Sequence, residues 1–536
     1  MLLDYLCRSS RRELFRAGGM LTALGLGLGH ARASQAAYDL RHNIYTAIGV
    51  RPLINCKGTF TIISGSLTLP EVKRAMDEAS RFYVHLDELM EAVGKRLAEL
   101  TGAEWGIVTA GCAAALTHAT AACIAGADPE KIQRLPDPRL KNEVIAPRYS
   151  RNVYDQAVRM LGVRIVEVSN KEELAAAINP RTALIMVLAG PGDRGPLGLD
   201  VIAEIARPRG VPILVDAAAE RLTIPNLHLA RGATMVAYSG GKCLRGPQCA
   251  GLLLGPKNLL QAAFLNSAPH HSFGRSMKVG KEEIMGMLAA VEAWVKRDHK
   301  AEWEEWESWL DHIAEQVRRV DGVETEIIQP ESLSNNAPRL RIAWDGARLG
   351  IWGQAVERLL AEGDPRIVLA GSTGTAREPA RSSVTIMPYM MSPGEHEIVA
   401  ERLYAILSRP PKLSAPPLSR EPVAQVSGQW DAHLEFVCGS ADHVLIFEQQ
   451  GAELVGTHRT ETLTSDLRGW VEGDRIWFRS SHPFEGTRIQ YEFEGRLTTD
   501  GMEGRVGLDE YGAAQWRAVR HRYGRPGGLV RPIKNI

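Results

Sequence analysis

From Pro70 to Leu100 apolar residues return every three or four positions: Val72, Ala75, Met76 and Ala79, then Leu86, Leu89, Met90, Val93 and Leu97. That period predicts helix, the second set continuing the first after a break. Past it the pattern changes to short apolar runs at Trp105–Thr109, Val144–Ala146, Arg164–Val168, Ala183–Leu188, Pro212–Asp216, Thr234–Ser239 and Gly251–Leu254. Most are separated by helical stretches such as Asp200–Ala206. Apolar runs alternating with helices predict a largely parallel sheet covered on both faces. Seven such runs suit one large α/β domain. Lys281 to Val320 reads as helix. A mixed α/β stretch follows to about Ser408, with strands expected at Leu340–Trp344 and Ser383–Met387 and a closing helix near Glu395–Leu407.

The proline-dense segment Arg409-Pro410-Pro411-Lys412-Leu413-Ser414-Ala415-Pro416-Pro417 marks a linker. Beyond it polar and apolar residues alternate at Trp430–Phe436, His443–Gln449, Glu453–His458, Arg475–Phe478 and Ile489–Leu497, with turn residues at Gly451, Gly473-Asp474 and Asp500-Gly501. The period of two predicts an antiparallel β meander, a small barrel or sandwich.

Composition narrows the class. The hydrophobic share of 45% and the charged share of 24% are those of a globular protein. The 63 basic and 63 acidic residues balance, which argues against a dedicated nucleic-acid surface. The seven cysteines (Cys7, Cys56, Cys112, Cys123, Cys243, Cys249 and Cys438) include no C-x-x-C pair, so they read as reduced thiols rather than a disulfide framework, a zinc site or a haem attachment.

The first 33 residues read as a targeting segment. Ser10-Arg11-Arg12-Glu13-Leu14-Phe15-Arg16 resembles the twin-arginine export motif, and small and apolar residues follow from Ala17 to Gly29. Ala31-Arg32-Ala33 then offers an A-x-A cleavage site before Ser34. The apolar run is shorter than the roughly 20 residues of a membrane span. The expected location is therefore outside the cytoplasm, with a retained basic N-terminal helix on a cytoplasmic protein as the alternative.

Three features of the α/β domain carry chemistry. Thr109-Ala110-Gly111-Cys112-Ala113-Ala114-Ala115 follows a strand and opens a helix; small residues there let backbone N–H groups approach an anion such as phosphate. A tight turn packed on the sheet would look the same. Asp216 ends an apolar strand, where ligands bind in open α/β sheets, with the small Ala218 two residues on; a helix cap or salt bridge is the plainer use. Tyr238-Ser239-Gly240-Gly241-Lys242 follows the next strand, and Leu244–Gln248 leads from it into another, so the lysine loop is pinned between two core strands. A surface lysine on a loop is the usual alternative.

A phosphate-cradling turn, a strand-end Asp and a strand-end Ser three residues before a Lys stand in the order of a pyridoxal-phosphate (PLP) site. The segment Ser239-Gly240-Gly241-Lys242-Cys243-Leu244-Arg245-Gly246-Pro247-Gln248 resembles the lysine segment of the selenocysteine synthase-like family, which includes L-seryl-tRNA(Sec) selenium transferase and D-glucosaminate-6-phosphate ammonia-lyase. Arg51–Asn55, Arg151-Asn152-Val153-Tyr154-Asp155, Gly274–Glu283 and Gly363–Ile367 are similar to further segments of that family, so the resemblance spans about residues 40 to 408. It implies a fold type I PLP-dependent transferase fold with a mostly parallel seven-stranded sheet. The expected order is a signal (1–33), an N-terminal segment packing with the small domain (34–84), a PLP-binding large domain (85–300), a small α/β domain (301–408), a linker (409–424), the β domain as a barrel-like unit (425–524) and a tail (525–536).

By the same resemblance Lys242 holds PLP as a Schiff base and Asp216 pairs with its pyridinium nitrogen. Ala218 lies against the ring, and Gly111, Cys112, Ala113 and Ser239 are phosphate-binding candidates. Arg366 is a candidate for the substrate carboxylate and Arg275 for a phosphate, each with a structural role as the alternative. Cys243 reads as packing, and His270 and His271 as a solvated loop. The implied activity is a PLP-dependent lyase catalysing α,β-elimination on a small amine, an amino acid or amino-sugar acid, in a homodimer or larger homo-oligomer. A selenium transferase is the first rival, disfavoured by the absence of a basic RNA-binding stretch. An aminotransferase or racemase on the same fold is the second. A binding protein acting through the β domain, with Trp430, Trp470, Trp477 and Trp516, is the third.

Overall fold

The computed structural model describes residues 42–413 and 424–522. The targeting segment, most of the proline-rich linker and the expected tail lie outside the described residues.

The seven apolar runs form one sheet. Its order is Trp105–Thr109, Gly251–Gly255, Met235–Ser239, Ile213–Asp216, Thr182–Leu188, Glu143–Pro147 and Arg164–Val168. Gly251–Gly255 is antiparallel to both neighbours and the rest run parallel. The inner strands are buried along their length, which is why they read as unbroken Val, Ile and Leu rather than alternation. Because the strands ending at Thr109, Pro147, Leu188, Asp216 and Ser239 all point the same way, the loops that follow them share one edge of the sheet.

The helix Cys112–Ala125 is buried on nearly every face, and its run of alanines lets it lie close against the sheet. The helical stretch between Pro70 and Leu100 does break, into Pro70–Ala79 and Leu86–Thr101. The second ends at Gly102, in the left-handed conformation (φ +72°) that glycine adopts without steric cost.

A second core is built on the four-stranded antiparallel sheet of Val323–Ile328, Arg339–Trp344, Ser382–Ile386 and Gly371–Thr373. The helix His299–Val317 places Leu310, Ile313 and Val317 on it, and Glu395–Ser408 adds Val399, Leu403 and Leu407. Ile54 and Cys56, on the strand Leu53–Cys56, belong to this core through parallel pairing with Arg366–Leu369.

The C-terminal meander closes into an eight-stranded antiparallel barrel of Gly428–Glu435, Ser440–Gln450, Glu453–Arg459, Thr464–Glu472, Arg475–Phe484, Thr487–Leu497, Met502–Gly507 and Ala513–Arg520. Full closure removes exposed sheet edges. Three of these strands, Thr464–Glu472, Met502–Gly507 and Ala513–Arg520, give no strong apolar alternation, because several of their positions are Ser, Gly or Ala. Phe447, Phe478, Phe493 and Trp516 fill the middle of the barrel, and His443, His458, Ser480 and His482 are buried nearer one end. No helix among the described residues is long and apolar enough to cross a membrane.

Candidate active site

The shared sheet edge gathers the turn after Thr109, the acid of Asp216 and the lysine loop after Ser239. The Asp216 carboxylate is buried; Oδ1 accepts the Ala218 N–H at 3.1 Å and has the Cys112 thiol at 3.7 Å. Burial pushes its pKa up, against the opposing pull of the Ala218 N–H and the positive charge of Lys242. Burial and the adjacent Asp216 charge hold the Cys112 thiol well above its ordinary range, so it stays a neutral neighbour rather than a nucleophile. A buried carboxylate in this state is short of positive charge.

The helix Cys112–Ala125 starts beside it. Its N-cap is Gly111 at φ +88°, no side chain caps its first N–H groups, and a Cβ added at Gly111 would meet nothing within 4 Å. Open space in front of uncapped N–H groups and the positive end of a helix dipole suits a phosphate. Gly251 allows the turn to sit there, since a side chain on it would run into the Gly111 carbonyl. Ala113 lies in the first turn of that helix. Ser239 ends its strand half-buried, and its hydroxyl forms no hydrogen bond among the described residues.

The Lys242 loop is held from three sides. Gly240 N–H donates to the Ala250 carbonyl at 2.8 Å and Ser66 N–H to the Gly241 carbonyl at 3.1 Å. Arg297 Nη1 donates to the Cys243 carbonyl at 3.0 Å. The Cys243 thiol donates to the Glu220 carbonyl at 3.0 Å, and burial raises its pKa to about 11. A buried acid, a lysine within its electrostatic reach and an uncapped helix start fit PLP in all three of its anchoring needs: ring nitrogen, aldehyde and phosphate.

The two arginine candidates fall elsewhere. Arg366 opens its strand, and its Nε is buried without a partner. Arg275 is exposed in the turn before Met277, its backbone N–H donating to the Ser272 carbonyl. Neither side chain forms a hydrogen bond or ion pair with Lys242, Asp216 or Ser239 among the described residues.

The structure adds residues that were not site candidates. Tyr154 is half-buried, and burial together with Asp216, Cys112 and Glu510 raises its pKa. Arg151 donates to Asp155 at 2.5 Å, to Glu167 at 2.9 Å and to Glu485 of the barrel at 2.6 Å. Their signal was the Arg151–Asp155 motif itself, which carries a capping box between Asn152 and Asp155. Ala219 O accepts from Asn335 N–H (2.9 Å), Asn335 Oδ1 from Tyr389 (3.2 Å), and Tyr389 shares a hydrogen bond with Thr59 (3.0 Å). That path joins segments far apart in sequence, and no local pattern announces it.

No family model matches the chain. A D-glucosaminate-6-phosphate ammonia lyase of Salmonella typhimurium is 32% identical over 336 residues, which cover 60% of this chain and 88% of the relative. A 5'-C-glycyluridine monooxygenase-decarboxylase of a Streptomyces species is 30% identical over 377 residues, 68% of this chain and 92% of the relative. A solved D-glucosaminate-6-phosphate ammonia-lyase structure superposes with a TM-score of 0.61 at 29% identity, covering 68% of this chain and 98% of its own. With the buried acid, the pinned lysine and the open helix start in place, these likenesses show that the chain is a PLP-dependent enzyme and belongs to the selenocysteine synthase-like family that includes D-glucosaminate-6-phosphate ammonia lyase.

Proposed function

We propose that the enzyme is a lyase that removes ammonia from an amino acid or amino-sugar acid by α,β-elimination. The observation that carries this is the buried, charge-deficient Asp216 beside Lys242 and an uncapped helix start. PLP, when bound, draws off the electrons of a bond broken at the amino carbon. Asp216 keeps the ring nitrogen positive, which that withdrawal requires. The first N–H groups of Cys112–Ala125 and the Ser239 hydroxyl hold the phosphate. Lys242 would hold the cofactor at its aldehyde, and its Nζ is the base that would take the Cα proton of the substrate. A group leaves the neighbouring carbon with the released electron pair, and water completes the conversion to a keto acid and ammonia. Tyr154 faces this chemistry from the Arg151–Asp155 turn.

The Streptomyces relative, of similar identity, favours a second reading: oxygen-dependent loss of carbon dioxide from a glycine-like amino acid. The test separates them. The purified enzyme is expected to be yellow, to lose the colour on borohydride reduction and to carry a pyridoxyl group on Lys242 by mass spectrometry. Ammonia release without oxygen supports elimination; turnover only with oxygen uptake supports the second reading, and a colourless protein that takes up no PLP defeats both.

Two further parts of the proposal concern assembly and location. Ile44, Ile48, Ile62, Phe82 and Tyr83 are largely exposed within one short stretch of chain, an apolar surface suited to a second copy. The Ser10–Arg16 motif and the A-x-A site support export by the twin-arginine route.

A further inference from the structure

The ammonia-lyase structure is matched over 98% of its length by 68% of this chain, so about a third of the chain is additional to it. Among the described residues the barrel accounts for most of that surplus, and it is docked on the catalytic domain. The turn between Arg475–Phe484 and Thr487–Leu497 presses onto the Asn152–Asp155 turn: a side chain on Gly486 would run into the Asn152 carbonyl and the Asp155 carboxylate. Arg151, nearly buried, fixes the contact by joining Asp155 and Glu167 to the barrel's Glu485. Arg159 lies over the Phe484 ring, 5.3 Å from its centroid.

Backbone strain marks the same places. Among the described residues five non-glycines are left-handed: Ser64, Arg245, Asn335, Glu485 and Asp509. Arg245 follows Lys242 by three residues. Ser64 precedes the Ser66 that binds the lysine loop, and Asn335 binds Ala219 beyond Asp216. The remaining two, Glu485 (φ +51°) and Asp509 (φ +54°), are on the barrel turns that face the Arg151–Asp155 motif. Such conformations persist where the surroundings impose them, most often at functional sites.

Between barrel and catalytic domain lies a cavity of about 550 Å³, lined by Asn152, Gln156 and Arg159 on one side and Phe484, Tyr491, Glu510 and Tyr511 on the other, with the Arg159 guanidinium already engaged by the Phe484 ring and by Glu485 at 3.8 Å. Tyr154, half-exposed in the same turn, has Asp216, Cys112 and Glu510 within electrostatic reach. Glu510 has the Tyr511 hydroxyl as a hydrogen-bond partner and forms no ion pair among the described residues. Aromatic rings beside amide groups and a carboxylate suit a hydroxylated chain; an unpaired carboxylate repels a phosphate.

We propose that the barrel rim is the outer wall of the substrate site, and that its cavity receives the far end of an unphosphorylated, hydroxylated amino acid of the amino-sugar-acid class, with Glu510 excluding phosphorylated ones. This rests on the lyase reading above. The test uses the full-chain holoenzyme, with kcat and KM measured for D-glucosaminate and for its 6-phosphate, in wild type, Glu510→Gln and Glu510→Lys. The wild type is expected to favour the unphosphorylated acid by about tenfold or more in kcat/KM, chiefly through KM. Glu510→Lys is expected to reverse or erase that preference, with Glu510→Gln between. A wild type that favours the phosphate overturns the proposal. So does a Glu510→Lys ratio within twofold of wild type in protein that keeps its cofactor absorbance and melting temperature. If neither acid perturbs the visible spectrum the proposal also fails. If serine and other small amino acids leave that spectrum unchanged as well, the lyase reading fails with it, and the two failures are told apart.

Discussion

Two of the groups of buried polar residues in this molecule meet the cost of burial differently. At the sheet edge, Asp216 is buried with a raised pKa, and the helix start beside it is uncapped. In the barrel, His443, His458, Ser480 and His482 are equally buried, yet they bond to one another: His458 Nε2 lies 2.9 Å from His443 Nδ1, and His458 Nδ1 lies 2.6 Å from Ser480 Oγ and 3.0 Å from His482 Nε2. Burial lowers the pKa of all three imidazoles, and the neighbouring imidazoles lower those of His443 and His458 further, so all three stand neutral. Unbalanced charge beside open space asks for a ligand; a neutral, mutually bonded cluster holds its own structure together. The same desolvation penalty thus marks a cofactor site in one place and a structural layer in the other.

The comparison breaks most sharply at Lys242. Lys242→Ala is expected to lower turnover by about a thousandfold or more, since in the proposed mechanism one residue supplies both the covalent anchor and the base. Borohydride should then fix no pyridoxyl group to the chain, and steady-state rates with mass mapping check both points.

Asp216→Asn sharpens it further, because the two consequences have opposite signs. Losing a buried charge pair worth ~3 kcal/mol should cost about a hundredfold in kcat. The cofactor-free protein should instead melt higher than wild type at neutral pH. A carboxyl with a raised folded pKa binds more protons folded than unfolded, so it subtracts stability as pH rises past 3.8, and the neutral amide removes that term. If the cofactor-free variant is less stable than wild type at pH 7, Asp216 is not short of positive charge and the contrast with the barrel collapses.

The parts legible in the sequence were those where local pattern and tertiary role coincide. The run Ile213–Asp216 is apolar because both its faces are buried, and its terminal acid stands out for the same reason. The Ser239–Lys242 segment is short, glycine-rich and set between two strands, so its environment is nearly local. Three barrel strands were not legible. Gly504, Ala514 and Ala518 take interior room that Trp516 and Met502 fill, and small residues leave no alternation to see. Strand Arg475–Phe484 runs past its expected end at Phe478 because its interior positions continue as Ser480 and His482, polar residues whose main partner, His458, lies on another strand. Tyr389 and Asn335 are tied to Ala219, beyond Asp216, from distant segments, where only the fold brings them near.

The barrel should respond to acid through its histidine layer, as the catalytic core should through the buried His118, whose pKa burial lowers to about 4. His443 and His458 titrate at about 4 and about 2 in the fold, below the ordinary 6.5, and His482 is lowered too. The unfolded chain therefore binds more protons than the folded one once pH drops below 6.5. The stabilising contribution is whole above that value and is lost as pH falls towards 4 and below. The unfolding temperature, followed calorimetrically, should shift down by roughly 5–10 °C between pH 7 and pH 4.5, and His458→Leu should flatten that slope.

The smallest effect tests whether the histidine layer is self-satisfied. His458 Nδ1 has two partners, and removing the Ser480 hydroxyl leaves His482 Nε2 at 3.0 Å. Ser480→Ala should therefore cost only about 1 kcal/mol, the net worth of one hydrogen bond. His458→Ala strips the partner from both His443 and His482 and opens a cavity, so it should cost about 3 kcal/mol or more. Denaturant melts of the two variants separate the cases. A Ser480→Ala cost as large as that of His458→Ala would mean that the hydroxyl, not the imidazole chain, satisfies the layer, and the barrel would then be balanced through one bond in place of a network.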